Sequence, residues 1–255
     1  MCLLVVAFHV VPGTSLLIGA NRDEFLSRPA VPVTVLRPGT PRILGGRDLQ
    51  SGGTWLAINE HGVFAGLTNQ PLGEDRDLTR RSRGELPLAL ASQPAARDAV
   101  DLLLDSHRPE DYNGSWLLAG DGDSLFYIDF TGLVDAEPVA LQPGLYVLEN
   151  RPLGSPSPKV DHVTRALGAM SDVDTALATL RHVLADHVAL ESVMAGDGAT
   201  TTANCVHRDG YGTRSSCIVL RGEDGPDPPK LWVSDGPPCT APFVDVSHLW
   251  TVPAS

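Results

Sequence analysis

The chain has 255 residues, 42% of them hydrophobic, and a formal net charge of −12. That length can bury a sizeable core, and we read residues 1–255 as a single domain. The acidity is spread along the chain, which argues against a nucleic-acid partner, whose phosphates need clustered Lys and Arg, and against attraction to an anionic membrane surface.

The chain opens MCLLVVAFHVV. Leu3–Ala7 and Ser15–Ala20 are apolar runs separated by Val11-Pro12-Gly13-Thr14, a spacing that predicts a hairpin of buried strands. A secretion signal fits poorly. No Lys or Arg precedes the apolar run, the first being Arg22, and His9 and Pro12 interrupt it. No later stretch approaches the roughly 20 apolar residues of a membrane helix. The expectation is a cytoplasmic protein with no membrane insertion.

A second hairpin is predicted over Thr54–Asn59 and Gly62–Asn69. Helical spacing of apolar residues follows in Ser82–Ser92 and Ala95–His107, with Val100, Leu103 and Leu104 on one face. Strands return at Ser115–Ala119, Ser124–Phe130 and Leu145–Glu149, then helices at Asp161–Leu167 and Asp174–His187. Final strands are expected at Ser215–Arg221 and Lys230–Ser234. The pieces 152–158 and 222–229 read as surface loops, and the segment from Pro237 onward shows no periodicity. Strands, helices, strands, helices, strands is the order of antiparallel sheets with helices packed outside them.

Four polar stretches stand where apolar runs stop: ANRDEF (20–25), GLTNQP (66–71), LENRP (148–152) and YGTRSS (211–216). Residues at strand ends can share one rim of a sheet, although each stretch alone also fits a turn. Phosphate-loop, nucleophile-elbow and HExxH motifs are absent. The histidines have no metal-ligand spacing, and Cys2, Cys205, Cys217 and Cys239 form no CxxC pair. The sequence therefore predicts no metal site and no cofactor.

Cys2 follows the initiator methionine. If Met1 is removed, thiol and α-amine share one residue, and the amine can serve as base for its own side chain. The alternative is a small buried hydrophobe at a strand edge. Trp55 either lines a pocket or packs in the core.

The motifs MC, ANRDEFLSRP, GGTWLAINEHGVFAGLTN and YGTRSS occur in an order that resembles the NRDE family, the family of transport-and-Golgi-organisation proteins. That family is similar to the N-terminal-nucleophile (Ntn) hydrolases of the penicillin V acylase and bile-salt hydrolase group. The resemblance implies an α+β fold, a four-layer αββα sandwich of antiparallel sheets. It also implies a Cys2 nucleophile acting on the amide bond of a small molecule, by hydrolysis or acyl transfer. It places oxyanion donors at Asn69 and Asn150, a thiolate-holding guanidinium at Arg22 or Arg214, and an α-ammonium partner at Asp23 or Glu24. The acylase pattern spaces its Arg and Asp three apart. Here Arg22 and Asp23 are adjacent, whereas Asn21 and Glu24 keep that spacing. Asn21 and Trp55 are the expected substrate contacts. The competing expectation is a protein of the same fold that binds or transfers haem, a lipid or an acyl ligand without chemistry.

Overall fold

The computed structural model describes residues 3–71, 76–168, 170–188, 203–223, 225 and 227–251. Two seven-stranded antiparallel sheets pack face to face. The first has the order β10-β1-β2-β12-β13-β14, with β11 paired to β12. Its strands are β1 (Leu3–Val11), β2 (Thr14–Phe25), β10 (Gly144–Leu148), β11 (His207–Arg208), β12 (Tyr211–Gly222), β13 (Lys230–Ser234) and β14 (Val244–Asp245). The second runs β3 to β9 in chain order. Its strands are β3 (Ala30–Arg37), β4 (Ile43–Asp48), β5 (Leu56–Asn59), β6 (Phe64–Asn69), β7 (Ser115–Gly120), β8 (Leu125–Phe130) and β9 (Val139–Leu141).

Alternation of side chains along the strands builds the layers. In β1, Leu4, Val6 and Phe8 face the opposing sheet, as do Leu16, Ile18 and Ala20 of β2. They meet Leu44, Leu56, Ile58, Phe64 and Leu118 in the inter-sheet core. Leu3, Val5, Ala7 and Leu17 point the other way, onto α3 (Pro158–Leu167) and α4 (Val173–Ala185). The outer face of the second sheet is covered by α1 (Glu85–Leu90) and α2 (Ala96–Ser106) through Leu86, Leu90, Val100 and Leu103. The result is the expected four-layer αββα sandwich.

Both predicted hairpins form. The first turns at Gly13, with φ of 71°, as Pro-Gly at the centre of a turn favours. The second is tied by Asn59, whose Oδ1 accepts from the backbone N–H of His61 and of Val63, both at 3.0 Å. The four predicted helices form with shifted ends. α3 starts earlier than expected, because Ser157 caps it and Pro158 occupies its first turn, where no N–H is needed. α1 is cut short at its start, where Gly84 offers no side-chain cap.

The hairpin β3–β4 was not among the expected elements. Pro32 interrupts the β3 pattern, but β3 is an edge strand, where a missing N–H costs little. In β4, Gly45 and Gly46 mask the apolar pattern. An added Cβ on Gly46 would lie 2.0 Å from the Trp55 ring, so that glycine is required by the ring.

Candidate functional site

The rim expected from the four polar stretches exists. The end of β2, the end of β10, the start of β12 and the end of β6 lie together. The Asn150 Nδ2, just past β10, donates to the backbone oxygen of Asn69 on β6 at 2.6 Å, bridging the two sheets. β12 is longer than expected, so YGTR lies within the strand. Tyr211 pairs with Phe25 and Thr213 with Asp23, because the polar end of β2 offers a ladder to pair with.

Asn21, Arg22 and Asp23 are all buried at the end of a central strand, at 0%, 3% and 4% exposure. Strand alternation splits them between faces. Asn21 and Asp23 point toward the helices. Asn21 Nδ2 donates to the carbonyls of Leu184 and Asn204, at 2.8 and 2.7 Å, and Ser216 Oγ donates to its Oδ1. Thr213 Oγ1 donates to Asp23 Oδ1 at 2.5 Å. Asn21 therefore positions the strand end instead of lining the cleft.

Arg22 and Glu24 point between the sheets. Arg22 Nη2 donates to Asp48 Oδ2 at 3.2 Å and lies 3.9 Å from Glu24 Oε2. Its guanidinium sits over the Trp55 ring, 4.5 Å from the centroid. Its Nη1 is buried with no hydrogen-bond partner among the described residues. Burial pushes the Arg22 pKa down, and the attraction of Glu24 and Asp48 offsets only part of this. Asp48 also accepts from Arg28 Nε at 2.6 Å and from the backbone N–H of Gln50 and Ser51. Burial raises its pKa, but these hydrogen bonds and the charges of Arg28 and Arg22 outweigh that and hold it below the usual carboxylate range.

These groups open onto a cleft of about 380 Å³, lined by Arg22, Glu24, Trp55 and Asn69. Among the described residues, six arginines line it (Arg22, Arg28, Arg76, Arg80, Arg81 and Arg83) against three carboxylates (Glu24, Asp48 and Asp77). Arg83 donates to the Gly114 carbonyl at 3.0 Å and forms no ion pair among the described residues. Burial, with Arg76 and Arg28 nearby, lowers its pKa to about 10.

Arg214 is placed differently from the sequence expectation. It occupies a bulge in β12, between Thr213 and Ser215. Its Nη1 donates to the carbonyls of Phe25, Leu26 and Arg28, tying down the loop after β2. Arg22 is thus the guanidinium in the cleft, and Arg214 supports the loop that carries Arg28. Cys2 and Met1 lie outside the described residues. Leu3, the first described residue, stands opposite Asn21 in the ladder.

Sequence reading missed Arg28, Asp48 and Arg83. Arg28 lies inside the ANRDEFLSRP motif, but Asp48 and Arg83 carry no local pattern that separates them from surface charges.

The Transport and Golgi organisation 2 family description matches residues 1–226. The human Transport and Golgi organization protein 2 homolog is 31% identical over 259 residues, covering 88% of this chain and 90% of its own. Among solved structures, the Caenorhabditis elegans ortholog of N-acylethanolamine-hydrolyzing acid amidase aligns with a TM-score of 0.58 at 15% identity, over 86% of this chain and 92% of the other. Penicillin V acylase from Agrobacterium tumefaciens aligns with a TM-score of 0.55 at 10% identity, over 100% and 90%. The fold is therefore that of the Ntn hydrolases. Among the described residues no helix is long and apolar enough to cross a membrane.

Proposed function

The chain belongs to the Transport and Golgi organisation 2 family, and from its fold and cleft we propose an N-terminal-cysteine amidohydrolase or acyltransferase acting on a small amide that bears an anionic group. The observation that carries this reading is the meeting of Arg22, Glu24, Trp55 and Asn69 in one cleft, with a buried guanidinium nitrogen of Arg22 that has no hydrogen-bond partner among the described residues.

With Met1 removed, the Cys2 thiol gives its proton to the α-amine and attacks the amide carbonyl. The carbonyl oxygen gains the negative charge, and the carboxamide of Asn69 donates to it. Asn150 holds the Asn69 backbone and has a second N–H to offer. Removing one such donor typically costs about 2.7–4 kcal/mol of transition-state stabilisation. The α-ammonium returns the proton to the leaving amine, the C–N bond breaks, and a thioester remains for water or an acceptor amine. Arg22 stabilises the thiolate, a buried cation beside an anion. Asp23 and Glu24, on opposite faces of the end of β2, are the carboxylates available to the α-ammonium. Arg83, which pairs with no carboxylate among the described residues, favours an anionic group on the substrate.

Intact mass and covalent labelling test this. The expected result is a chain lacking Met1 that is labelled by a thiol-reactive β-lactam, with labelling lost in Cys2→Ala while that variant still unfolds cooperatively. Retained Met1, or equal labelling of both proteins, overturns the mechanism. Ligand carriage without chemistry predicts instead a saturable ligand whose affinity survives Cys2→Ala with no turnover in either protein.

A further inference from the structure

Away from the cleft, His187, Cys205, His207 and Cys239 bring one potential ligand atom each into a group within 4.8 Å of one another. We propose that these four residues form a closed structural site for a divalent transition ion of the zinc class. Three separations are close to the edges of a coordination polyhedron. Cys205 Sγ lies 3.7 Å from Cys239 Sγ and 3.7 Å from His207 Nε2, and His207 Nε2 lies 3.2 Å from Cys239 Sγ. A tetrahedral zinc site, with Zn–S near 2.3 Å and Zn–N near 2.0 Å, has edges of about 3.3–3.8 Å.

His187 supplies the fourth corner. Its ring centroid is 5.1 Å from that of His207. Its Nδ1 lies 3.1 Å from the backbone oxygen of Cys205. An imidazole that donates from Nδ1 to a carbonyl presents Nε2 to a metal, the usual outer hydrogen bond of a metal-bound histidine. Two thiolates and two imidazoles suit zinc and its neighbours, not the oxygen-seeking magnesium or calcium. Four protein ligands leave no open position, so the ion is structural.

The ligands come from three places: His187 just after α4, Cys205 and His207 just before and within β11, and Cys239 between β13 and β14. The ion would lock these together behind the cleft. Asn204, next to Cys205, accepts from Asn21 and donates to the Val183 carbonyl of α4 at 2.9 Å. Val206, between two ligands, donates its N–H to Thr213 Oγ1 at 2.9 Å, and Thr213 in turn donates to Asp23. Metal loading thus sets the buried partners of Asn21 and Asp23 without touching a substrate.

The test is metal content of the full chain, purified reduced and without chelator, then given equimolar zinc and desalted. The expected result is close to one zinc per chain, falling below about a tenth in Cys239→Ser and His207→Ala and unchanged in Cys217→Ala. Cobalt supplied to the metal-free wild type should give thiolate-to-metal charge transfer and the visible bands of a tetrahedral ion. Should the ligand variants fail to fold, this wild-type spectrum decides alone. Full zinc content in Cys239→Ser, absence of the cobalt bands, or a Cys205–Cys239 disulfide that persists under reduction in place of metal would each overturn the proposal.

Discussion

Arg22 is held on one side by a carboxylate and on the other by a ring. Asp48 stands between Arg22 and Arg28, and Trp55 supports the guanidinium face. Asp48→Ala would strand a buried cation, and we expect a loss of about 3 kcal/mol in urea unfolding. Asp48→Asn should recover part of it, because an amide oxygen still accepts. The folded Asp48 carboxyl titrates below its unfolded value of about 3.9. Its contribution is therefore complete above that value and is lost as pH falls through the lower folded pKa. Wild type should lose stability more steeply than Asp48→Asn below about pH 4, and parallel acid-unfolding curves would contradict this.

At the scale of elements, the site depends on how closely α4 lies on β2. A Cβ on Gly19 would meet Leu180 at 2.7 Å, so α4 approaches the strand where it has no side chain. Gly19→Ala should lift or tilt α4 and cost about 1–3 kcal/mol. Since Asn21 donates to the last turn of α4, the same substitution should slow Cys2 labelling, as read by the labelling rate in native buffer. The hairpins and most helices were legible because their signals are local: apolar runs broken by Pro-Gly or by Asn59 with Gly62. The β3–β4 hairpin was not, because its edge proline and paired glycines are tolerated only by neighbours that the sequence does not name.

Across the whole molecule, charge is distributed unevenly. A chain of net charge −12 concentrates arginine around its cleft. An anionic thiol-reactive probe should label faster than a neutral analogue at low salt, and raising ionic strength should erase the difference. Arg83→Met should lower capture of the anionic probe by about tenfold, near the value of one charge-assisted hydrogen bond, and leave the neutral probe unchanged. Equal effects on both probes would show that Arg83 shapes the cleft without recognising charge.

The sequence by itself determined antiparallel sheets with helices outside them and marked the strand-ending polar motifs, since both signals are written within a few consecutive residues. It also marked Asn69 and Asn150, which the structure joins by a hydrogen bond. Only the tertiary structure separated Arg22 from Arg214, because both are arginines at strand ends and only the pairing of β2 with β12 decides which one faces the cleft. Asp48 and Arg83 entered the cleft the same way. His187, Cys205, His207 and Cys239 show why: they are distant in sequence, and convergence is a property of how sheets and helices pack, which no spacing along the chain records.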